Sequence, residues 1–129
     1  MRRVEKPWGY EIVFAENERY AGKILHVDAG HALSLQYHER KDETLYVLKG
    51  EVTLLVDADS DADTGAVAEK DRTLTEVTLA AGDSYRIRPG VRHRMSAAAP
   101  CDLVEVSSPE LDDVVRLEDR YGREGTSAP

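Results

Sequence analysis

Four side chains with metal-binding donor atoms recur at two separate places in this sequence. Gln36 and His38 are separated by one residue, Glu43 follows shortly after them, and His93 lies just beyond a Pro-Gly pair. Residues separated by one on a strand point to the same face, so Gln36 and His38 can face one ion together. If neighbouring strands bring Glu43 and His93 alongside, the sequence predicts a four-ligand site for a divalent metal.

The donor atoms of this set restrict which metal can bind. Neutral imidazoles, a carboxylate and an amide oxygen suit zinc, manganese, iron or nickel better than copper(I) or an iron–sulfur cluster. The alternative interpretation is that His38 and His93 are unrelated strand-end histidines and that Gln36 and Glu43 are ordinary polar positions. Any one residue alone favours that alternative, whereas the whole set, with glycines at fixed offsets around it, favours the metal site.

The bulk composition limits the classes of partner. The chain has 129 residues and a net charge of −8, so like charge argues against binding to nucleic acid or to an anionic membrane surface. A chain of this length predicts one domain, which we assign to residues 1–123, with residues 124–129 as a frayed tail. The start carries no apolar run of signal-peptide length, and we therefore expect a cytoplasmic location. The single cysteine, Cys101, fits a reducing compartment and is predicted to be a small buried strand residue, with a reactive thiol as the alternative.

The elements that must position the metal ligands are predicted to be strands. Short apolar runs of alternating pattern are bounded by Gly, Asp or Pro, which is typical of half-buried strands. No segment predicts a helix longer than a turn or two, and the close spacing of the runs favours an all-β sandwich or barrel. Residues 48–52 are predicted to form a tight hairpin, with Gly50 supplying the positive φ of the turn. The predicted strands are Tyr10–Phe14, Lys23–Val27, Leu33–His38, Thr44–Leu48, Glu51–Val56, Leu74–Leu79, Ser84–Arg88, Arg92–Ser96, Asp102–Val106 and Val114–Leu117.

An acidic stretch beginning at Asp57 invites comparison with a calcium loop. An EF-hand loop starting there would need Gly at its sixth position and an acidic ligand at its twelfth, and these positions hold Ala62 and Ala68. The calcium interpretation therefore fails, and residues 57–72 are predicted to form a flexible hairpin loop.

The spacing of the candidate ligands resembles the two motifs of the cupin family, small β-barrels that bind a metal in the barrel mouth. Gln36-Tyr37-His38 stands where the first motif usually has His-x-His, and Arg88-Pro89-Gly90 stands at the usual Pro-x-Gly of the second, whose closing Asn falls at Ala97. The glutamine is shared by the phosphomannose isomerase branch. The chain is similar to the isomerase domain of the bifunctional type II mannose-6-phosphate isomerase/mannose-1-phosphate guanylyltransferases. Further segments that carry this resemblance are residues 6–9, 18–20 with Lys23, 33–38, 105–106 and, most specifically, 115–123.

The resemblance implies a small cupin barrel that binds zinc and interconverts an aldose and a ketose, most simply mannose 6-phosphate and fructose 6-phosphate through an enediolate. It supports Glu105 as the group that moves the proton, since an inward acid between apolar neighbours has a raised pKa; pairing with a nearby arginine is the alternative. Arg116, within the matching tail, is the first choice for contact with the reacting sugar or its phosphate. The candidates for holding the phosphate are Lys23, Arg88, Arg92 and Arg116.

Two other functions remain open at this stage. The segment 39–42, which departs from the histidine-rich stretch of the family, favours a non-catalytic cupin that binds a sugar or sugar nucleotide. A metal-dependent dioxygenase is a third hypothesis. The expected partners are a small sugar phosphate and a second copy of the chain, because barrels of this size often pair to cover a sheet edge.

Overall fold

The computed structural model describes residues 1–58 and 73–124. Within these ranges the chain forms twelve strands and no helix, which confirms the predicted all-β class. None of the described residues forms a helix long and apolar enough to cross a bilayer. The strands are β1 (Arg2–Lys6), β2 (Gly9–Glu16), β3 (Ala21–Val27), β4 (His31–Ala32), β5 (Leu35–Tyr37), β6 (Glu43–Lys49), β7 (Glu51–Asp57), β8 (Leu74–Ala80), β9 (Ser84–Ile87), β10 (His93–Ala97), β11 (Cys101–Ser107) and β12 (Val115–Glu118).

These described strands form two antiparallel sheets with the apolar core buried between them. One sheet has the order β1-β2-β3-β11-β6-β9. The other has the order β12-β5-β10-β7-β8, and β4 pairs beside β10. Fully buried core residues come from both sheets: Val27, Leu45, Val47, Val52, Leu54, Val56, Ile87 and Leu103.

Strand alternation carries polar residues into this interior along with the apolar ones. On β11, Cys101, Leu103 and Glu105 are all buried while the residues between them are more exposed. The period of two that packs Leu103 into the core therefore also turns Glu105 inward. Cys101 is buried as predicted, and burial raises the pKa of its thiol to about 11.

The predicted hairpin at Gly50 is wrong, although the predicted positive φ is confirmed at 85°. β6 pairs with β11 and β9, whereas β7 pairs with β10 and β8. The chain thus crosses from one sheet to the other at Gly50. A Cβ atom added there would lie 2.9 Å from the backbone oxygen of Pro100, so the crossing needs glycine for space as well as for its backbone angle.

Two other expectations are corrected. The predicted strand Leu33–His38 is interrupted, because β4 ends at Ala32 and β5 spans only Leu35–Tyr37. The predicted flexible loop 57–72 begins too early, since Asp57 ends β7 with no exposed surface. Residues 59–72 and 125–129, which hold the rest of that loop and most of the predicted tail, lie outside the described residues.

Candidate metal centre

Three of the four predicted metal ligands converge at one buried point. His38 follows β5, Glu43 begins β6 and His93 begins β10. The Nε2 atoms of His38 and His93 each lie 3.3 Å from Oε1 of Glu43. The candidate donor atoms all lie within 4.8 Å of one another, and the three residues are at most 3% exposed.

Backbone hydrogen bonds fix which nitrogen each histidine presents to this point. Nδ1 of His38 lies 2.5 Å from the carbonyl oxygen of Asp113, and Nδ1 of His93 lies 3.0 Å from that of Val91. Because a carbonyl oxygen can only accept, each Nδ1 carries the proton and each Nε2 offers a lone pair. Both lone-pair nitrogens are therefore free to bind a cation at Glu43.

The buried polar atoms of this cluster fit a divalent ion. Nε2 of His38, Nε2 of His93 and Oε1 of Glu43 are buried without a hydrogen-bond partner, whereas Oε2 of Glu43 is paired with the Lys41 ammonium. A buried acceptor without a partner is destabilising by about 1 to 3 kcal/mol, and a cation bound between these three acceptors would remove that cost. Two imidazoles and a carboxylate are a ligand set that suits zinc and its divalent neighbours.

Gln36, the fourth predicted ligand, lies beside the cluster. It is directly opposite His93 where β5 pairs with β10, and it lines the same cavity as His38. Its amide oxygen accepts a hydrogen bond from the hydroxyl of Ser34 at 2.5 Å. Coordination of the metal by Gln36 stays a prediction.

The loop between His38 and Glu43 is held from the connection that links β11 to β12. The Asp113 carboxylate accepts hydrogen bonds from the backbone N–H groups of Glu39, Arg40 and Lys41, at 2.6 to 3.0 Å. These bonds outweigh the effect of burial, so the pKa of Asp113 is lowered. The loop conformation turns Lys41 inward, where it is 4% exposed.

Sequence reasoning missed Lys41, which bridges two buried acids. Its ammonium lies 3.0 Å from Oε2 of Glu105 and 3.1 Å from Oε2 of Glu43. Glu105 therefore pairs with a lysine, a partner that the sequence did not indicate. Lys41 could not be distinguished in the sequence because it stands within a run of charged residues that is typical of a solvated loop.

The charges of this triad shift one another's pKa values. Burial would lower the pKa of Lys41, but Glu105 and Glu43 outweigh it and raise that pKa. Burial would likewise raise the pKa of Glu43, but the Lys41 ammonium holds it well below its usual range. Burial, reinforced by the neighbouring Glu43 carboxylate, raises the pKa of Glu105, as expected for an inward acid.

A cavity of about 180 Å³ opens beside the cluster, between the two sheets. The predicted site residues that line it are Lys23, Gln36, His38, Glu105 and Arg116. Arg88 and Arg92, two of the predicted phosphate contacts, are absent from its described lining. Arg92 instead donates its Nε–H and Nη2–H to Asp57 at 3.0 and 2.7 Å, because it precedes the inward-facing His93 and alternation turns it outward.

Comparison with known proteins adds a family and a set of relatives. Residues 23–107 match the family described as Cupin domain. The chain is 32% identical over 127 residues to mannose-1-phosphate guanylyltransferase from Escherichia coli K12, an alignment that covers 95% of this chain and 23% of that protein. It is 33% identical over 127 residues to xanthan biosynthesis protein XanB from Xanthomonas campestris pv. campestris, covering 95% of this chain and 24% of that protein. The chain thus spans about a quarter of the length of the curated relatives it matches.

A solved structure shares the same architecture. KdgF from Halomonas sp. superimposes with a TM-score of 0.69 at 18% identity, and the match covers 87% of this chain and 91% of that one. Similarity at this level of identity concerns the fold, and it agrees with a small barrel built from two antiparallel sheets.

Proposed function

The chain belongs to the cupin family, and from that premise we propose that it is a metal-dependent isomerase that converts mannose 6-phosphate into fructose 6-phosphate. The observation that supports this most directly is the buried set of His38, Glu43 and His93, whose donor atoms converge beside a cavity. The same cavity holds a carboxylate at Glu105 and a guanidinium at Arg116. A metal site, a candidate base and a cation in one cavity are the parts that isomerisation of a sugar phosphate needs.

The relatives support a mannose phosphate as the substrate. The alignment to mannose-1-phosphate guanylyltransferase runs along 95% of this chain, and the resemblance noted from the sequence concerns the isomerase domain of such bifunctional proteins. The guanylyl transfer in that protein's name concerns the relative, and this chain matches only about a quarter of its length.

His38, Glu43 and His93, with Gln36 as the fourth ligand, would hold the metal, and we propose zinc. When bound, such an ion supplies a positive charge that polarises the sugar oxygens and stabilises negative charge developing on them. The lone pairs on the two Nε2 atoms and the ionised Glu43, whose pKa is held low, are the forms that metal binding requires.

Glu105 is the proposed base. Isomerisation moves a proton from C2 of the aldose to C1 of the ketose through an enediolate. The Glu105 carboxylate accepts the proton from C2 and returns it to C1, while the hydroxyl proton of O2 passes to O1. The raised pKa of the Glu105 carboxyl strengthens it as a base. The Lys41 ammonium, 3.0 Å away, holds the carboxylate in position. Arg116, which is opposite Gln36 in the pairing of β12 with β5, is the proposed contact for the sugar or its phosphate.

The test is to mix zinc-loaded protein with mannose 6-phosphate and follow fructose 6-phosphate. The Glu105→Gln variant should lose about 10²- to 10⁴-fold in kcat while it keeps its zinc. Glu51→Gln, which changes an exposed glutamate on β7, is the matched control and should keep full activity. Absence of product from the zinc-loaded wild-type protein, or unchanged turnover in Glu105→Gln, would reject the proposal.

A second candidate is a cupin that binds a sugar phosphate without converting it. The contact between Glu105 and Lys41 favours this candidate, because the ammonium occupies the carboxylate oxygen that would otherwise be available to accept a proton. Saturable binding of mannose 6-phosphate with no fructose 6-phosphate formed would identify it. The homodimer expected from the sequence stays a prediction, which size-exclusion chromatography with light scattering can test.

A further inference from the structure

The described lining of the cavity is rich in cationic side chains, in a protein with a net charge of −8. Six of these lining residues are Lys or Arg and three are Asp or Glu, although Arg2, Lys41 and Arg123 also pair with acids outside the lining. Charges of one sign that are gathered in a concave site attract a ligand of the other sign. The ligand of this cavity is therefore expected to be an anion.

Two of these cations share a single acid. Nζ of Lys23 lies 3.3 Å from Oε1 of Glu11, and Nζ of Lys6 lies 3.8 Å from the same oxygen. The three side chains are only 7 to 12% exposed. The Glu11 carboxylate can neutralise only one of the two ammonium groups, and all three groups are largely shielded from water.

A second pair of cations comes from the other sheet and the tail. Arg116 lies on β12 and is 7% exposed, and Arg123 forms a double hydrogen bond with Asp119 at 2.8 and 3.2 Å. Both arginines line the cavity. Burial is the largest cause that lowers the pKa of Lys6, and Glu11 opposes it. Lys23, Arg116 and Arg123 lower this pKa further, so both arginines lie close enough to act on the lysine pair.

We propose that Lys6, Lys23, Arg116 and Arg123 form the subsite for the phosphate group of the substrate, so that the N-terminal β1–β2 hairpin takes part in substrate recognition. A phosphate dianion offers three oxygens that accept from several directions, which matches two ammonium and two guanidinium groups better than a single carboxylate does. The inference rests on the proposed function, because the ligand is taken to be a sugar phosphate.

The strand register gives this subsite a defined relation to the reacting centre. Lys23 on β3 is directly opposite Glu105 on β11, and Arg116 on β12 is directly opposite Gln36 on β5. A phosphate bound among the cations therefore directs the remaining carbons of the sugar towards Glu105 and the metal ligands. Lys6, on the edge strand β1, lines the same cavity.

The test is calorimetric titration of the zinc-loaded protein with mannose 6-phosphate, unphosphorylated mannose and glucuronate. Wild-type protein should bind the phosphorylated sugar most tightly. Lys6→Met should weaken binding of mannose 6-phosphate about tenfold or more, as expected for a lost hydrogen bond to a charged group, and leave binding of mannose unchanged. Arg3→Gln removes one positive charge from the same strand at an exposed position, 56% of its side chain being accessible, and should bind like the wild type.

Further variants keep the test decisive if Lys6→Met fails to fold. Lys6→Arg keeps the charge and should retain binding, and Arg123→Gln should weaken it as Lys6→Met does. Unchanged affinity for mannose 6-phosphate in folded Lys6→Met or Arg123→Gln would overturn the subsite. Tighter binding of glucuronate than of mannose 6-phosphate would overturn its assignment to phosphate.

The subsite and the isomerase activity can fail separately. Binding of mannose 6-phosphate that depends on Lys6, with no fructose 6-phosphate formed, would support the subsite and reject the isomerase. Turnover by Lys6→Met with the KM and Kd of the wild type would support the isomerase and reject the subsite.

Discussion

The imidazole of His38 donates a hydrogen bond from Nδ1 to the backbone carbonyl of Asp113, 2.5 Å away and 75 positions later in the chain. The carboxylate of the same aspartate accepts hydrogen bonds from the backbone of Glu39, Arg40 and Lys41. A single residue therefore orients one candidate metal ligand and shapes the loop that leads to the next. Such support of a ligand by its hydrogen-bond partners strengthens metal binding.

Replacing Asp113 should weaken both the loop and the metal site. Asp113→Ala removes a carboxylate with three backbone donors, and we expect the free energy of unfolding in urea to fall by about 1 to 3 kcal/mol. Zinc affinity, measured by chelator competition, should fall about 10- to 100-fold. The exposed Glu51→Ala is the control, and equal zinc affinity in both variants would contradict this role.

The same variant gives a prediction for pH. The pKa of Asp113 is lowered in the folded protein, since its backbone hydrogen bonds outweigh burial. A carboxyl with a lowered pKa stabilises the fold above its unfolded pKa, near 3.9, and loses that effect as the pH falls through the folded value. The stability difference between wild type and Asp113→Ala should therefore be full at pH 7 and shrink in acid. A difference that grows on acidification would contradict it.

Removal of Lys41 should destabilise the metal-free protein strongly. Lys41→Met leaves the buried carboxylates of Glu43 and Glu105 without their shared cation, and breaking a buried ion pair in this way costs about 3 to 5 kcal/mol. Urea unfolding of chelator-treated protein measures the loss, and added zinc should restore part of it by compensating Glu43. The control is Lys49→Met, an exposed lysine on β6. A loss no larger than that of the control would show that Lys41 is not required to balance the two acids.

The candidate ligands could be predicted from the sequence because they stand at strand ends with regular spacing, whereas Lys41 and Lys6 could not. The inward position of Lys41 depends on hydrogen bonds from Asp113, more than seventy positions away, and no local pattern records such a contact. Lys6 reaches the cavity because β1 pairs along β2, but the charged sequence of β1 lacks the apolar alternation that predicts a strand. Proximity to His93 in the sequence favours Arg92 as a phosphate contact. Its hydrogen bond to Asp57 depends on the pairing of β7 with β10, which the sequence does not reveal.

Two of the three arginines proposed from the sequence, Arg116 and Arg92, should differ in their effects on the KM and on stability. Arg116→Gln alters a buried residue of the cavity lining and should raise the KM for mannose 6-phosphate about tenfold or more. Arg92→Gln disturbs an ion pair with the buried Asp57 and should lower stability while leaving the KM unchanged. Initial rates at varied substrate and urea unfolding separate the two effects. An increase in KM in Arg92→Gln equal to that in Arg116→Gln would contradict the placement of these residues.

Ten of the twelve described strands followed from short alternating apolar runs, but β1, β4 and the assignment of the strands to two sheets did not. At Gly50 the local pattern indicates only a reversal with positive φ, and this pattern is shared by a hairpin and by a crossing between sheets. The long-range partners of β6 and β7 decide between them. Sequence periodicity carries no information about those partners.

Gly50 provides a test of this crossing. Gly50→Ala places a Cβ atom 2.9 Å from the oxygen of Pro100 at a φ of +85°, and we expect a loss of about 1 to 3 kcal/mol in the free energy of unfolding. Gly82→Ala is the matched control, because it has a φ of +94° with no atom within 4 Å of the added Cβ. Gly50→Ala should be the more destabilised of the two in urea, and equal losses would argue against the close approach of Pro100.

Elemental analysis of protein dialysed against zinc tests the metal centre most directly. Wild-type protein should hold about one zinc ion per chain. The control is His31→Ala, which should hold the same amount, because the imidazole of His31 forms a hydrogen bond with Tyr121 outside the centre. His93→Ala should hold almost none, because it removes one of the three converging donors. A folded His93→Ala protein that binds as much zinc as the wild type would contradict the metal centre.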